Sequence, residues 1–224
     1  MVYIVALLLL IALTKVVTIG GGIMDDDLSI ITEQTWEEHA PINIKGNEDF
    51  KTTAQNEGWQ GDGSLTNPYL IKGLNITTPS YSESVVIKNT DVHFQITNCL
   101  VKSYYRTGHC GCWHSGIYFE NVSNTLILNN TINSQGGFLL SECVNISFIN
   151  NKCRGIINFF EISSSKNIQI INNSISTLVS GIGILSSKNI LILDNNISKI
   201  YFGDAIVLKA PEDSVILGNR IDNS

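Results

Sequence analysis

A short apolar segment ending in asparagine recurs along this chain at an interval of about 22 residues. It reads Phe94-Gln-Ile-Thr-Asn98, Thr125-Leu-Ile-Leu-Asn129, Ile146-Ser-Phe-Ile-Asn150 and Ile168-Gln-Ile-Ile-Asn172. The series continues with Ile190-Leu-Ile-Leu-Asp194 and Ser214-Val-Ile-Leu-Gly218. The closing positions are 31, 21, 22, 22 and 24 residues apart, and three residues beyond each stands Val101, Ile132, Cys153, Ile175, Ile197 or Ile221. A second segment precedes most of these, with the pairs Ile117/Phe119, Phe138/Leu140, Phe160/Ile162, Ile182/Ile184 and Ile206/Leu208. Apolar residues two apart share one face of a strand, so each repeat holds short strands with an inward side. A few short strands leave that side open to water unless the next repeat stacks on it, and stacking turns the chain into a solenoid. The expected fold is all-β, a right-handed parallel β-helix.

The recurring asparagine has a physical reason. A coil turns sharply between strands, and Asn tolerates the left-handed backbone region better than most residues. Its amide both donates and accepts, so equivalent residues on successive coils can form a ladder that satisfies buried turn groups. Strict alternation places Asn98, Asn129, Asn150 and Asn172 inward as this structural ladder, with Asn130, Asn151, Asn173, Asn195 and Asn219 outward or in the turn.

An open solenoid end exposes core and unpaired strand edge, so a polar-faced cap is expected ahead of the repeats. Residues 47–56 fit a short helix, with Asn47 as N-cap, an acidic first turn and Gly58 beyond the end. Phe50 and Trp59 then read as anchors of the cap. No polar helix follows the last repeat, so the final coil is expected either to stand uncovered or to belong to a shortened architecture. The domain reading is a signal peptide or N-terminal membrane anchor at 1–22 and a linker at 23–40. A capping segment follows at 41–80, and the β-helix occupies 81–224.

The segment Val2–Leu13 is an unbroken apolar run, too short to span a bilayer as a helix but of signal-peptide length. Export to the cell surface or the extracellular space is expected, with membrane contact only through this segment. Sequons at Asn75, Asn121, Asn129, Asn145, Asn172 and Asn196 agree with export and mark possible glycoprotein sites. The formal net charge of -6 gives no basic footprint, so no nucleic-acid partner is expected.

The block Pro41-Ile-Asn-Ile-Lys-Gly-Asn-Glu-Asp-Phe50, with Glu57-Gly-Trp-Gln-Gly-Asp-Gly-Ser64 and Asn67-Pro-Tyr-Leu-Ile71, resembles the opening module of archaeal surface proteins. In those proteins it precedes NosD-like right-handed β-helix repeats, also called carbohydrate-binding and sugar-hydrolase repeats. The resemblance spans roughly Pro41 to Ser224. It implies polysaccharide contact, adhesion or periplasmic copper delivery, and the fold alone does not choose among them.

Glycan-cleaving enzymes of the hydrolase kind need paired carboxylates at a defined separation. The outward positions of the second segment are Tyr118 and Glu120, Leu139 and Ser141, Glu161 and Ser163, Gly183 and Leu185, then Val207 and Lys209. Glu120 and Glu161 stand two coils apart, and no catalytic residue is assigned. The long 31-residue interval holds the least scaffold-like stretch, Ser103–His114. Tyr104, Tyr105 and Trp113 offer rings for stacking on a sugar. His109, Cys110, Cys112 and His114 offer soft and borderline ligands suited to Cu or Zn. In an oxidising compartment Cys99 is the alternative partner of Cys110 or Cys112 in a disulfide, Cys153 reads as core, and Cys143 has no assigned partner. Asp62 alone is too few carboxylates for calcium. The leading expectation is a non-enzymatic surface module that binds glycan or a surface protein without a cofactor. Metal handling through the His109–His114 loop comes second, and polysaccharide degradation third.

Overall fold

The computed structural model describes residues 35–78, 82–103 and 114–222. The apolar N-terminal segment therefore lies outside the described residues. Among the described residues, no helix is long and apolar enough to cross a membrane.

The first coil comprises β1 (Glu37–His39), β2 (Ile42–Lys45), helix α1 (Asn47–Asn56), β3 (Tyr69–Lys72) and β4 (Leu74–Thr78). Then come β5 (Val85–Thr90), β6 (Phe94–Thr97) and β7 (Leu100–Ser103), followed by the long β8 (Ser115–Leu128) and β9 (Thr131–Asn133). Two regular coils follow: β10 (Gly136–Ser141), β11 (Val144–Ile149) and β12 (Lys152–Arg154), then β13 (Phe160–Ser163), β14 (Lys166–Ile171) and β15 (Ser174–Ser176). The last strands are β16 (Ile182–Leu185), β17 (Lys188–Leu193), β18 (Asn196–Ser198), β19 (Ile206–Lys209), β20 (Val215–Leu217) and β21 (Arg220–Asp222).

Equivalent strands stack in parallel and form three walls. The first wall runs β2-β5-β8-β10-β13-β16-β19 and the second β3-β6-β8-β11-β14-β17-β20. The third is an 8-stranded sheet, β1-β4-β7-β9-β12-β15-β18-β21. The register follows the apolar pairs in the sequence. Phe138 stands between Ile117 and Phe160, and Ile162 lies opposite Ile184. The inward columns are built mostly of Ile, Val, Leu and Phe, with Tyr69 and Thr125 in the second wall and Cys153 in the third, almost all of them buried. Stacking like on like covers the inward face, and on the last rung its residues Ile216 and Ile221 are 43% and 53% exposed.

The solenoid begins earlier than its repeat spacing indicates. Ile42 pairs opposite Val85, Ile71 opposite Ile96 and Ile76 opposite Val101. Residues 41–80, expected as a cap, thus also supply a first coil, and β1 carries the third wall back into the expected linker. The helix and loop between β2 and β3 stretch that coil and hide its period. Within it, α1 does cap the open end: Phe50 and Ala54 are buried, and Phe50 stacks on Tyr69 at 5.2 Å and meets Trp59 edge-on at 6.1 Å. The helix ends as the sequence indicates, with Trp59 N donating to Ala54 O and Gly58 N to Gln55 O, a Schellman closure. Its start differs. Gly46 is the N-cap, and Asn47 is drawn away to the second coil, accepting from Thr90 Oγ1 and Asp91 N and donating to Asp91 Oδ1.

The asparagine ladder lies one residue beyond its expected place. Asn98, Asn129, Asn150 and Asn172 hold φ between 53° and 57° and are half-buried or exposed. Their left-handed turn breaks the alternation and swings the next residue inward. Asn130, Asn151, Asn173 and Asn195, each 1% exposed, therefore form the buried ladder and continue to Asn219. Asn130, Asn151 and Asn173 each donate through Nδ2 to Oδ1 of the next member at 2.9–3.1 Å. Their Nδ2 atoms also reach a backbone carbonyl: Ile96, Ile127 or Phe148. Of the outer residues, Asn172 donates to Asn150 at 2.7 Å in a solvent-facing rung. At Gly218, which ends the outer column at φ 67°, a Cβ would sit 2.0 Å from Asp194 Oδ1, so any larger residue would have to displace that carboxylate.

Candidate functional site

Tyr104, Tyr105, His109, Cys110, Cys112 and Trp113 lie outside the described residues, so the geometry concerns the first wall, which that segment rejoins. It leaves β7 at Ser103 and rejoins at β8, on the first wall. His114, at the rejoining stem, sets Nδ1 3.6 Å from Glu83 Oε1. Among the described residues, no group of three His, Cys, Asp or Glu side chains could hold a metal ion.

The expected disulfide partner is differently placed. Cys99 is a free thiol, fully buried, because the turn at Asn98 points it into the core in the position that Asn130 takes one coil on. Its Sγ donates toward Thr97 O and Ile71 O, and its backbone N–H donates to Asn130 Oδ1 at 2.9 Å. Cys153 is a core residue as expected, and Cys143 is likewise buried and free. Burial pushes all three thiols up, Cys143 to about 11.

Outside the first wall, Lys88 on β5 and Tyr118 and Glu120 on β8 form one cluster. Lys88 pairs opposite Glu120 and donates through Nζ to Glu120 Oε2 at 2.7 Å. Tyr118 Oη donates to the same oxygen at 2.7 Å, and Lys88 Nζ lies 4.6 Å from the centre of the Tyr118 ring. The hydrogen bond from Lys88, then that from Tyr118, hold the Glu120 carboxyl below its ordinary range. The same bond raises Lys88, while burial first and Glu120 second raise Tyr118. Lys88 escaped the sequence reading because the long interval after β7 obscures the coil to which it belongs. The inward pair Val85/Ile87, matching Ile117/Phe119, is the signal that aligns Lys88 with Glu120.

Beside this cluster a groove of about 400 Å³ opens, lined by Ser115, Gly136, Leu139, Ile157, Asn158 and Glu161. Leu139 stands between Tyr118 and Glu161 in one outward column, whereas Glu120 belongs to the neighbouring column with Ser141 and Ser163. The two acids are thus two rungs apart and offset, as the sequence indicates. Ile157 and Asn158 come from the irregular turn between β12 and β13, which stands above the otherwise flat wall. Asp62 is occupied in its own loop, accepting from Ser64 N at 2.9 Å and Asn67 Nδ2 at 3.1 Å. The Ser64 side chain first, then the Ser64 backbone N–H and Asn67, hold its carboxyl low.

Of the sequons, Asn75 is buried and donates to Glu38, which leaves no room for a glycan there. Asn121, Asn129, Asn145, Asn172 and Asn196 face solvent.

No curated protein matches this chain. Among solved structures it is similar to the enzymatically active domain of tailspike protein 2 of bacteriophage CBA120, at 12% identity and a TM-score of 0.37. That overlap covers 83% of this chain and 38% of the tailspike chain. Residues 115–224 match the family described as "right handed beta helix region", and with the parallel stacking of the three walls this makes the protein a right-handed parallel β-helix.

Proposed function

We propose that this chain is an exported β-helix module that binds glycan without cleaving it, on the first wall beside the 104–113 segment. The observation that carries the reading is the groove at Leu139 and Glu161. Its lining combines aliphatic Leu139 and Ile157 with polar Ser115, Asn158 and Glu161. A sugar ring presents the same combination, apolar C–H faces edged by hydroxyls, and such sites are mostly apolar with a few placed polar groups. Tyr118 adds an aromatic face next to it, and Tyr104, Tyr105 and Trp113 are proposed to add stacking rings from the adjoining segment. Binding without cleavage is supported by the carboxylates. Glu120 is tied to Lys88 and kept ionised, which unfits it to donate a proton to a leaving group. The apolar N-terminal run, of signal-peptide length, supports export.

The test is a glycan array probed with the full chain, followed by a reducing-end assay on each glycan retained. We expect neutral or weakly charged glycans to bind and stay intact. Leu139→Asp should lose them, and Trp113→Ala should weaken them. Release of new reducing ends would make the protein an enzyme and overturn the reading, as would an array with no glycan retained.

A further inference from the structure

We infer that the outer side of the third wall carries a second binding groove, built for an acidic saccharide, with Arg154 and Lys199 receiving its carboxylates. The glycan-binding reading above supplies the class of ligand, and the groove itself supplies the site and the charge.

The groove has a volume of about 400 Å³, and its lining includes Asn133, Arg154, Ser176, Thr177, Lys199 and Tyr201, with no carboxylate. That is a basic site on a chain of net charge -6. Asn133, Arg154, Ser176 and Ser198 form one outward column of the third wall, and Lys102 stands above them opposite Asn133. Neither Arg154 nor Lys199 takes part in an ion pair among the described residues. Asp222, the acid at the foot of the column, bonds Arg220 instead. The two cations are therefore available to a ligand.

Their placement is fixed by the fold. Arg154 ends β12, and Lys199 follows β18, two rungs further along the wall (β12, β15, β18). Strands stack about 4.8 Å apart, so the two levels differ by roughly 10 Å, a spacing suited to charges on alternate units of a saccharide chain. Lys199 is set at the rim by a left-handed backbone, φ 63°, with its N–H donated to Asp222 O. A guanidinium matches a carboxylate with two parallel hydrogen bonds, and an ammonium adds a second point charge. Tyr201 is 59% exposed and offers a ring face on which a sugar can stack. Asn133 and Ser176 are positioned to meet hydroxyls. The first-wall groove lies on the other side of the same turns and carries Glu161, which repels an anion, so the two grooves differ in the charge they accept.

The experiment is calorimetric titration of the full chain with an oligogalacturonide and with its fully methyl-esterified form. The acid form should bind, with an affinity that falls as salt is added, and the ester should bind at least about tenfold more weakly. The double variant Arg154→Gln, Lys199→Asn should lose about tenfold or more for the acid form. Asn is chosen at 199 because it accepts the left-handed backbone. The variant should keep the wild-type Tm and any binding of neutral glycan at the first wall. Equal affinity for acid and ester, or unchanged binding by the double variant, overturns the inference. So does a single-stranded DNA of matched charge that binds as tightly through the same two residues. Cleaved or unbound neutral glycans in the array test sink the first-wall reading and leave this titration to stand or fall on its own.

Discussion

Asn173→Ala should be among the most costly single substitutions of a polar residue in this protein. Asn173 is 1% exposed, and its Oδ1 accepts from both Asn151 N and Asn151 Nδ2 at 2.9 Å. Its Nδ2 donates to Phe148 O at 3.0 Å, Ile171 O at 3.1 Å and Asn195 Oδ1 at 3.0 Å. Alanine removes all five bonds. The backbone N–H of Asn151 is left buried without its acceptor, and Phe148 O loses its side-chain donor. Each buried group stranded in this way costs roughly 1–3 kcal/mol, while Asn151 Nδ2 keeps its bond to Ile127 O, so the two together cost roughly 2–6 kcal/mol. The neighbouring Asn172→Gly is the control. It loses one solvent-facing bond to Asn150 but keeps a residue at ease with φ 54°, and should cost no more than about 1 kcal/mol. Urea unfolding of both variants measures the difference, with the m-value showing whether the coils still unfold as one unit. Equal midpoint shifts for the two, or an Asn173→Ala cost under about 1 kcal/mol, would refute the claim that the inner column holds the turns.

Gly137→Ala should unfold or severely destabilise the protein, because its Cβ would sit 2.1 Å from the Phe159 ring and 2.4 Å from Phe159 O; a wild-type Tm contradicts that packing. Cys99, Cys143 and Cys153 should resist iodoacetamide in the folded protein at mildly alkaline pH, since burial raises all three thiols. Peptide mapping that finds any of them alkylated before unfolding contradicts their placement. Glu120 is depressed in the folded state, so its pairing stabilises above the ordinary carboxylate range and is lost as pH falls through the lowered value. The stability gap between wild type and Lys88→Met should therefore narrow in acid, and a gap independent of pH removes the pair from the account. Tyr118, raised by burial and by Glu120, should titrate lower by NMR in Glu120→Gln, and an unchanged value denies that contact.

The walls were legible in the sequence and the turns were not, for one physical reason. Period-2 alternation holds only while the backbone stays extended. It places Ile117, Phe138, Phe160 and Ile182 in a single file, and the structure stacks them so. At each left-handed asparagine the alternation fails by one residue, and the side chain that follows it turns inward. The inner ladder moved from Asn129 to Asn130 and from Asn150 to Asn151, and Cys99 turned from a candidate for a surface disulfide into a buried thiol. A positive φ expected at the recurring Asn contained this correction, because a chain that bends there cannot also keep its next side chain outside. The first coil was missed differently. A helix and a loop separate β2 from β3, so a repeat search based on spacing loses a unit that its inward residues, Ile42 and Ile44, still declare.

The same irregular turns decide where this protein can hold a ligand. Parallel stacking of short strands makes flat walls, and a flat wall offers a small molecule little to enclose. Concavity arises where turn length varies from coil to coil, and here the stretches between the third and first walls do so. Gly155 and Ile156 face the groove of Arg154 and Lys199, while the next two residues, Ile157 and Asn158, face the groove of Leu139 and Glu161. One turn therefore forms a side of both sites, pinned between them by Phe159, whose ring covers Gly137 and whose backbone carbonyl accepts from Phe138 N. Thr177 ties the same turn to the coil below through its hydroxyl and Ile157 O. A change that shifts this turn must alter both grooves together, whereas a change at Arg154 or Leu139 alters only one.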